Sequence, residues 1–191
     1  MSRQTAIGPE GDLAIVAAVR ATDSRRALDM LAERFQKEIA RFCYHLLRDQ
    51  HDAADATQET FVAVLEAIEG FRGESSLRTW IFGIARRRCI DRLRKQTRRK
   101  TDATDAMDQH ADPGTLQDAR LERCQNASML HRLLGELPDI DQSILLMRFD
   151  HGLSFQEIGE ALGIRADNAK VRAHRALQKL RPMLERRGLG A

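Results

Sequence analysis

The sequence predicts an all-α fold of two small helical domains joined by a flexible linker, and three observations carry this reading. Apolar residues recur at spacings of three and four from Asp12 to about Lys95, and again beyond Leu116. No stretch alternates with period two, and no Asn-Gly or Asp-Gly hairpin signal occurs. Between the two periodic regions, residues 101–118 (TDATDAMDQHADPGTLQD) carry five acids, no Lys or Arg, and a Pro113-Gly114 pair. Such a composition buries too little apolar surface to hold a fixed structure, so it reads as a mobile tether. The expected boundaries are 1–100 for the first domain, 101–118 for the acidic linker and 119–191 for the second.

The elements follow in order. Leu28, Leu31, Phe35, Ile39, Phe42 and Leu46 lay one apolar stripe along a helix over about 25–48. After the polar break RDQHD, a second helix is marked by Ala53, Ala56, Phe61, Val64, Leu65 and Ile68 and closed by Gly70. The segment FRGESS (71–76) reads as a loop in which Ser75 or Ser76 caps the next helix. That helix buries Leu77, Trp80, Ile81, Ile84 and Ala85, then runs without a breaker into a basic block. Trp80, at helical spacing within the stripe, reads as core rather than as a stacking platform.

Past the linker, Leu130, Leu133, Leu134 and Leu137 continue a helix up to Pro138, and Ile140, Ile144, Leu145 and Phe149 mark another, stopped by Gly152. Ser154 and Glu157 then stand in capping-box spacing before a short helix with Phe155, Ile158, Ala161 and Leu162 on one side. Gly163 suits a tight turn that needs positive φ. Asp167 or Asn168 is the expected cap of a final helix burying Ala169, Ala173, Leu177, Leu180 and Leu184. A short helix, a glycine turn and a basic second helix form a helix-turn-helix, whose second helix fits the DNA major groove.

Charge distribution supports the same function. The net charge is only +3, yet residues 86–100 (RRRCIDRLRKQTRRK) hold nine basic residues against one acid, and residues 164–187 hold eight against two. Two basic blocks split by an acidic stretch equip a chain to touch a polyanion at two places. Other classes are disfavoured. No apolar run approaches the ~20 residues of a membrane span, and the N-terminus lacks the pattern of a signal peptide, so the expected location is cytoplasmic. Cys43, Cys89 and Cys124 are odd in number and widely spaced, as free thiols of a reducing compartment are. No glycine-rich phosphate loop, nucleophile elbow or four-ligand metal set can be assembled, so neither enzyme activity nor any cofactor or metal is expected.

The segment DAADATQETFVAVLEAIEGFRGESSLRTWIFGIARRRCIDRLRK (52–95) resembles region 2 of the extracytoplasmic-function (ECF) sigma factors of bacterial RNA polymerase. LPDIDQSILLMRFDHGLSFQEIGEALG (137–163) resembles their region 4, in the right order and with a linker between. Together the two cover most of the chain. The resemblance implies an alternative sigma factor that binds core polymerase, directs it to promoters and helps melt the DNA.

By position in that family, Asp55, Gln58, Glu59 and Phe61 would dock on core RNA polymerase, whose largest-subunit clamp coiled coil and flap are the expected contacts. Phe71, Arg72 and Ser75 would take up unstacked bases of the minus-ten element beside a phosphate groove of Arg86, Arg87, Arg88 and Arg92. Lys170, Val171, Arg172, His174 and Arg175 would face the minus-thirty-five element. Arg172 fits better as a holder of phosphate or of the motif itself, and Arg175 as the reader of a guanine edge. An anti-sigma factor, often membrane-tethered in this family, is the further implied partner. The rival reading is a helix-turn-helix regulator that acts without docking on core polymerase. Tight promoter binding by the protein alone would favour that rival.

Overall fold

The protein is described here from a computed structural model that covers residues 15, 17, 24–102, 129, 130 and 132–187. Among these residues every regular element is helical. The first unit holds α1 (Ser24–Leu47), α2 (Gln50–Ala67), a 3₁₀ turn (Ile68–Gly70) and α3 (Leu77–Asp102). The second holds α4 (Asp139–Leu145), a π turn (Leu146–Asp150), α5 (Phe155–Leu162) and α6 (Ala166–Glu185). Thr101 and Asp102, expected to open the linker, instead finish α3. The rest of the linker, Cys124 and the start of the helix expected near Leu116 lie outside the described residues.

Local chemistry explains the boundaries. At the corner between α1 and α2, Arg48 adopts a left-handed φ of 60° and its amide donates to Tyr44 O at 2.8 Å. This is the helix-ending geometry that usually calls for glycine. Asp49 caps α2, accepting from the Asp52 amide at 2.8 Å. Ser76 is the cap of α3, its Oγ accepting from the Thr79 amide at 3.1 Å. The capping box forms as expected: the Glu157 amide donates to Ser154 Oγ at 3.2 Å, and the Ser154 amide donates to Glu157 Oε2 at 2.8 Å. Gly163 ends α5 with φ 66°. Neither Asp167 nor Asn168 caps α6; both lie inside the helix, which starts at Ala166 after an extended Arg165 without a side-chain cap.

Leu31, Phe35, Ile39, Phe42 and Leu46 of α1 are buried with Ala56, Phe61 and Val64 of α2 and Leu77, Ile81, Phe82 and Ala85 of α3. Each large side chain so buried contributes about 1.5–3 kcal/mol. Trp80 is half-buried against this core. Four stripe residues depart from the expectation. Leu28 and Leu130 are exposed, as is Leu177, whose place on the inner face of α6 is taken by buried Ala176. Phe149 is 63% exposed. The π turn adds a residue to the helical circuit, so the fourth member of the Ile140–Phe149 stripe rotates out to solvent.

The two units also pack on each other. The axis of α3 crosses α5 closely enough that a Cβ on Gly83 would lie 2.8 Å from Ala161 O. A Cβ on Gly135, just before α4, would sit inside the guanidinium of Arg48. Nothing in the sequence pattern of either unit announced this contact.

Candidate polymerase- and DNA-binding surfaces

The outer face of α2 carries Asp55, Gln58 and Glu59, all exposed, with Val62 in line with them at 53% exposure. Spacings of three and four put these four on one stripe. Phe61, expected beside them, points the other way and is buried at 6% exposure. It belongs to the α1–α2–α3 core, as its place in the apolar stripe already required, and Val62 is the apolar side chain the sequence reading missed on this face.

Arg92 of α3 lies under the same face. Its guanidinium donates to Asp52 Oδ1 at 2.9 Å and Glu59 Oε1 at 2.5 Å, and stands 3.3 Å from Asp55 Oδ2. Gln96 adds a hydrogen bond to the other oxygen of Asp52. The side chain grouped with the basic groove thus lies among three carboxylates of the acidic face.

In the loop before α3, Phe71 is half-buried with its ring 5.2 Å from Trp80 and tilted by 46°. Arg72 is exposed, and Gly73 takes φ 73°. Ser75 is half-buried, its hydroxyl donating to Ser76 O at 3.4 Å. Along α3, Arg87 is exposed and Arg88 half-buried. Arg86 is also half-buried, and its Nε donates to Ser143 Oγ of α4 at 3.2 Å. Burial there pushes its pKa below the ordinary arginine value. The four groove arginines therefore do not form one open groove: Arg87 is open to solvent and Arg88 half-buried, Arg86 is covered by the second unit, and Arg92 is bound to acids.

On α6, Lys170, Val171, His174 and Arg175 are all exposed on adjoining faces. Arg172 is different. Its Nε donates to Asp141 Oδ1 of α4 at 2.8 Å, so it fastens the basic helix to the unit beneath it. Sequence reasoning had kept that role open. Behind the turn, a Cβ on Gly159 would lie 2.7 Å from Ile164 O, so the glycine permits the tight approach of α5 to α6. Glu157, half-exposed, has its pKa held below the usual carboxylate value: burial opposes this, and hydrogen bonds from Ser154 outweigh it.

Cys43 and Cys89 are fully buried and hydrogen-bonded to each other in the first unit. That bond, with burial, pushes the Cys89 thiol up, away from the reactive thiolate. Among the described residues no group of His, Cys, Asp and Glu is placed to hold a metal ion, and no helix is long and apolar enough to cross a membrane.

Comparison with known proteins agrees with this arrangement. The family model "Sigma-70 region 2" matches residues 31–99, and "Sigma-70, region 4" matches residues 127–180. RNA polymerase sigma factor YlaC of Bacillus subtilis is 30% identical over 160 residues, covering 82% of this chain and 91% of that protein. ECF RNA polymerase sigma factor SigX of the same organism is 29% identical over 164 residues, covering 82% of each. Among solved structures, CnrH in complex with the cytosolic domain of CnrY has the same fold at a TM-score of 0.67. It is 24% identical and spans 92% of this chain and 97% of that one. Two regions matched in order, on helices that present an acidic face, a basic helix and a helix-turn-helix, leave one assignment: the chain belongs to the ECF sigma factors of bacterial RNA polymerase and serves as an alternative sigma factor in transcription.

Proposed function

We propose that three surfaces divide the work of promoter recognition. The α2 face of Asp55, Gln58, Glu59 and Val62 docks on the clamp coiled coil of the largest polymerase subunit. Its acids give orientation and on-rate, and a desolvated Val62 adds affinity. Arg92 holds the three carboxylates in one geometry and is a positioning residue for docking rather than a DNA contact.

The loop and the middle of α3 serve the minus-ten element. Arg72, Arg87 and Arg88 neutralise phosphates, and Phe71 with Ser75 receives an unstacked base. Lys170, Val171, His174 and Arg175 enter the major groove at the minus-thirty-five element. Phosphate contacts there set the register, Val171 offers an apolar contact for a thymine methyl, and Arg175 reads a guanine edge. The observation that carries this reading is the sorting of α6 itself: Arg172 is paired inward with Asp141 of α4, while Lys170, His174 and Arg175 remain turned outward.

We also propose an anti-sigma partner. A structural relative, the Bartonella quintana sigma factor RpoE, is described in complex with the anti-sigma factor NepR and matches the fold here at a TM-score of 0.64 with 20% identity. Run-off transcription from a genomic fragment library with core polymerase tests the reading. Transcripts should start at a discrete set of sites that share two elements at fixed spacing. Their absence with active core enzyme contradicts it.

A further inference from the structure

The three helices of the first unit meet around two thiols that promoter recognition does not use. Cys43 of α1 and Cys89 of α3 both have 0% exposure, and their side chains are hydrogen-bonded to each other. Thr57 of α2 closes the third side: it is buried, its hydroxyl donates to Ala53 O at 2.7 Å, and it touches Cys43. Filling core volume needs no contact between two sulfurs, whereas forming a disulfide does.

The pair is asymmetric. A hydrogen bond from Cys89 is the main reason that the Cys43 thiol lies below its ordinary pKa; burial opposes it, while Thr57 and the charge of Arg92 assist. The same bond, then burial, pushes Cys89 up. One thiol is thereby suited to attack and the other to resolve.

Arg92 ties the pair to the surface. It follows Cys89 by about one turn of α3, and its charge acts on both thiols. Its terminal nitrogens hold Asp52, Asp55 and Glu59 of α2. Its Nε is buried and has no hydrogen-bond partner among the described residues. The cation that sets the acids of the docking face is thus also the cation beside the thiols.

We propose that Cys43 and Cys89 are a redox-active dithiol, oxidised by hydrogen peroxide to a disulfide that joins α1 to α3 and displaces Arg92 beneath the docking face. The Cys43 thiolate attacks one peroxide oxygen, the O–O bond breaks, and the departing hydroxide takes a proton from solvent to become water. Cys43 is left as a sulfenic acid. The Cys89 sulfur then attacks the Cys43 sulfur; the S–O bond breaks, and the leaving hydroxide departs as water with the Cys89 proton. Two thiols lose two electrons in all, and one peroxide becomes two waters. Burial of both sulfurs admits a small oxidant and excludes bulky reagents. The new bond brings the sulfurs closer than a hydrogen-bonded contact, and α3 carries Arg92 with it, so the acids lose their common geometry and docking weakens. That last step rests on the proposed docking role of the α2 face; the disulfide does not.

The test uses the full chain with Cys124→Ser, which removes the third thiol. After peroxide treatment the intact mass should fall by two hydrogens, and peptide mapping should link Cys43 to Cys89. Cys89→Ala should stop Cys43 at the sulfenic acid, captured by a dimedone probe, whereas Cys43→Ala should leave Cys89 unmodified. The oxidised chain, its two core cysteines unsubstituted, should bind immobilised core polymerase about three- to tenfold more weakly, and dithiothreitol should restore binding. No cross-link in the folded chain, under peroxide that oxidises the urea-unfolded chain, overturns the dithiol. A cross-link without change in polymerase binding, while Glu59→Lys still abolishes that binding, overturns the coupling through Arg92. A cross-link with binding indifferent to both oxidation and Glu59→Lys overturns instead the docking assignment of α2.

Discussion

Arg92 of α3 and Asp52 of α2 share a hydrogen bond of 2.9 Å, and the same guanidinium also holds Asp55 and Glu59. The side chain is only 18% exposed, so this is a supported cluster rather than a solvated pair. One cation thereby sets the spacing of the acids that α2 presents.

If Arg92 positions the docking face, Arg92→Ala should weaken binding to core polymerase by about tenfold, since a 1.4 kcal/mol loss is a factor of ten. Binding of a minus-ten oligonucleotide should change little. Arg92→Lys, which keeps the charge but loses the fork that reaches several carboxylates, should recover only part of the loss. Biolayer interferometry against immobilised core enzyme measures both variants. A larger effect on the oligonucleotide than on polymerase would return Arg92 to the DNA surface.

Arg172 and Arg175 stand three residues apart on α6 and should fail differently. Arg175→Ala should shift preference at one or two bases of the upstream element by about 1–3 kcal/mol. Arg172→Ala leaves Asp141 without its partner. It should therefore weaken every promoter variant alike and lower the thermal stability of the second unit. A panel of single-base promoter substitutions, read beside melting curves, separates the two outcomes.

Phe71 packs against Trp80, so its truncation carries both a folding and a functional term. Phe71→Ala should lower thermal stability slightly and reduce promoter melting by about tenfold to a hundredfold, given ~1–3 kcal/mol for a base–aromatic stack. A template mismatched across the minus-ten region should recover most of the melting defect. Permanganate footprinting on duplex and mismatched templates measures it. Equal loss on both templates would make Phe71 purely a core residue.

The pKa of Glu38 is lowered to about 2. Burial opposes this, but His151 and Arg78 beside the carboxylate outweigh it. A depressed carboxylate contributes stability that is fully present above its ordinary pKa of about 4.5 and is lost as the pH falls toward about 2. The contact between the two units should therefore loosen across that window. Scattering from pH 6 down to pH 3 should show wild type opening progressively, while Glu38→Gln starts more open and changes less.

Much of this architecture is legible in the sequence because it is local. Helical periodicity located α1, α2 and α3, and Ser154 with Glu157 announced the start of α5. Gly163 marked its end. The misreadings come from what periodicity cannot resolve. Phe149 lies on the stripe of an ideal helix, and only the π turn moves it out. Phe61 was grouped with the docking acids by its place in a motif, although its spacing with Val64 and Ile68 marked it as core. Asp167 looked like a cap because its residue type prefers that position, yet the chain enters α6 earlier. Arg92 and Arg86 sat in one basic run, but their partners, Asp52 and Ser143, come from residues 40 and 57 positions away. Histidine 151 carried no local signal at all, since its surroundings are assembled from α1, α3 and the π turn.

The central claim is that promoter recognition belongs to the complex of this chain with core polymerase, with neither free unit able to span both elements. Promoter binding measured with and without core enzyme, across a range of salt concentrations, tests it most directly. With core polymerase the account predicts specific, salt-sensitive binding and an open complex; the free protein should bind the same duplex weakly and with little sequence preference. Tight, sequence-specific binding of the duplex by the free protein, unchanged when core polymerase is added, would contradict it.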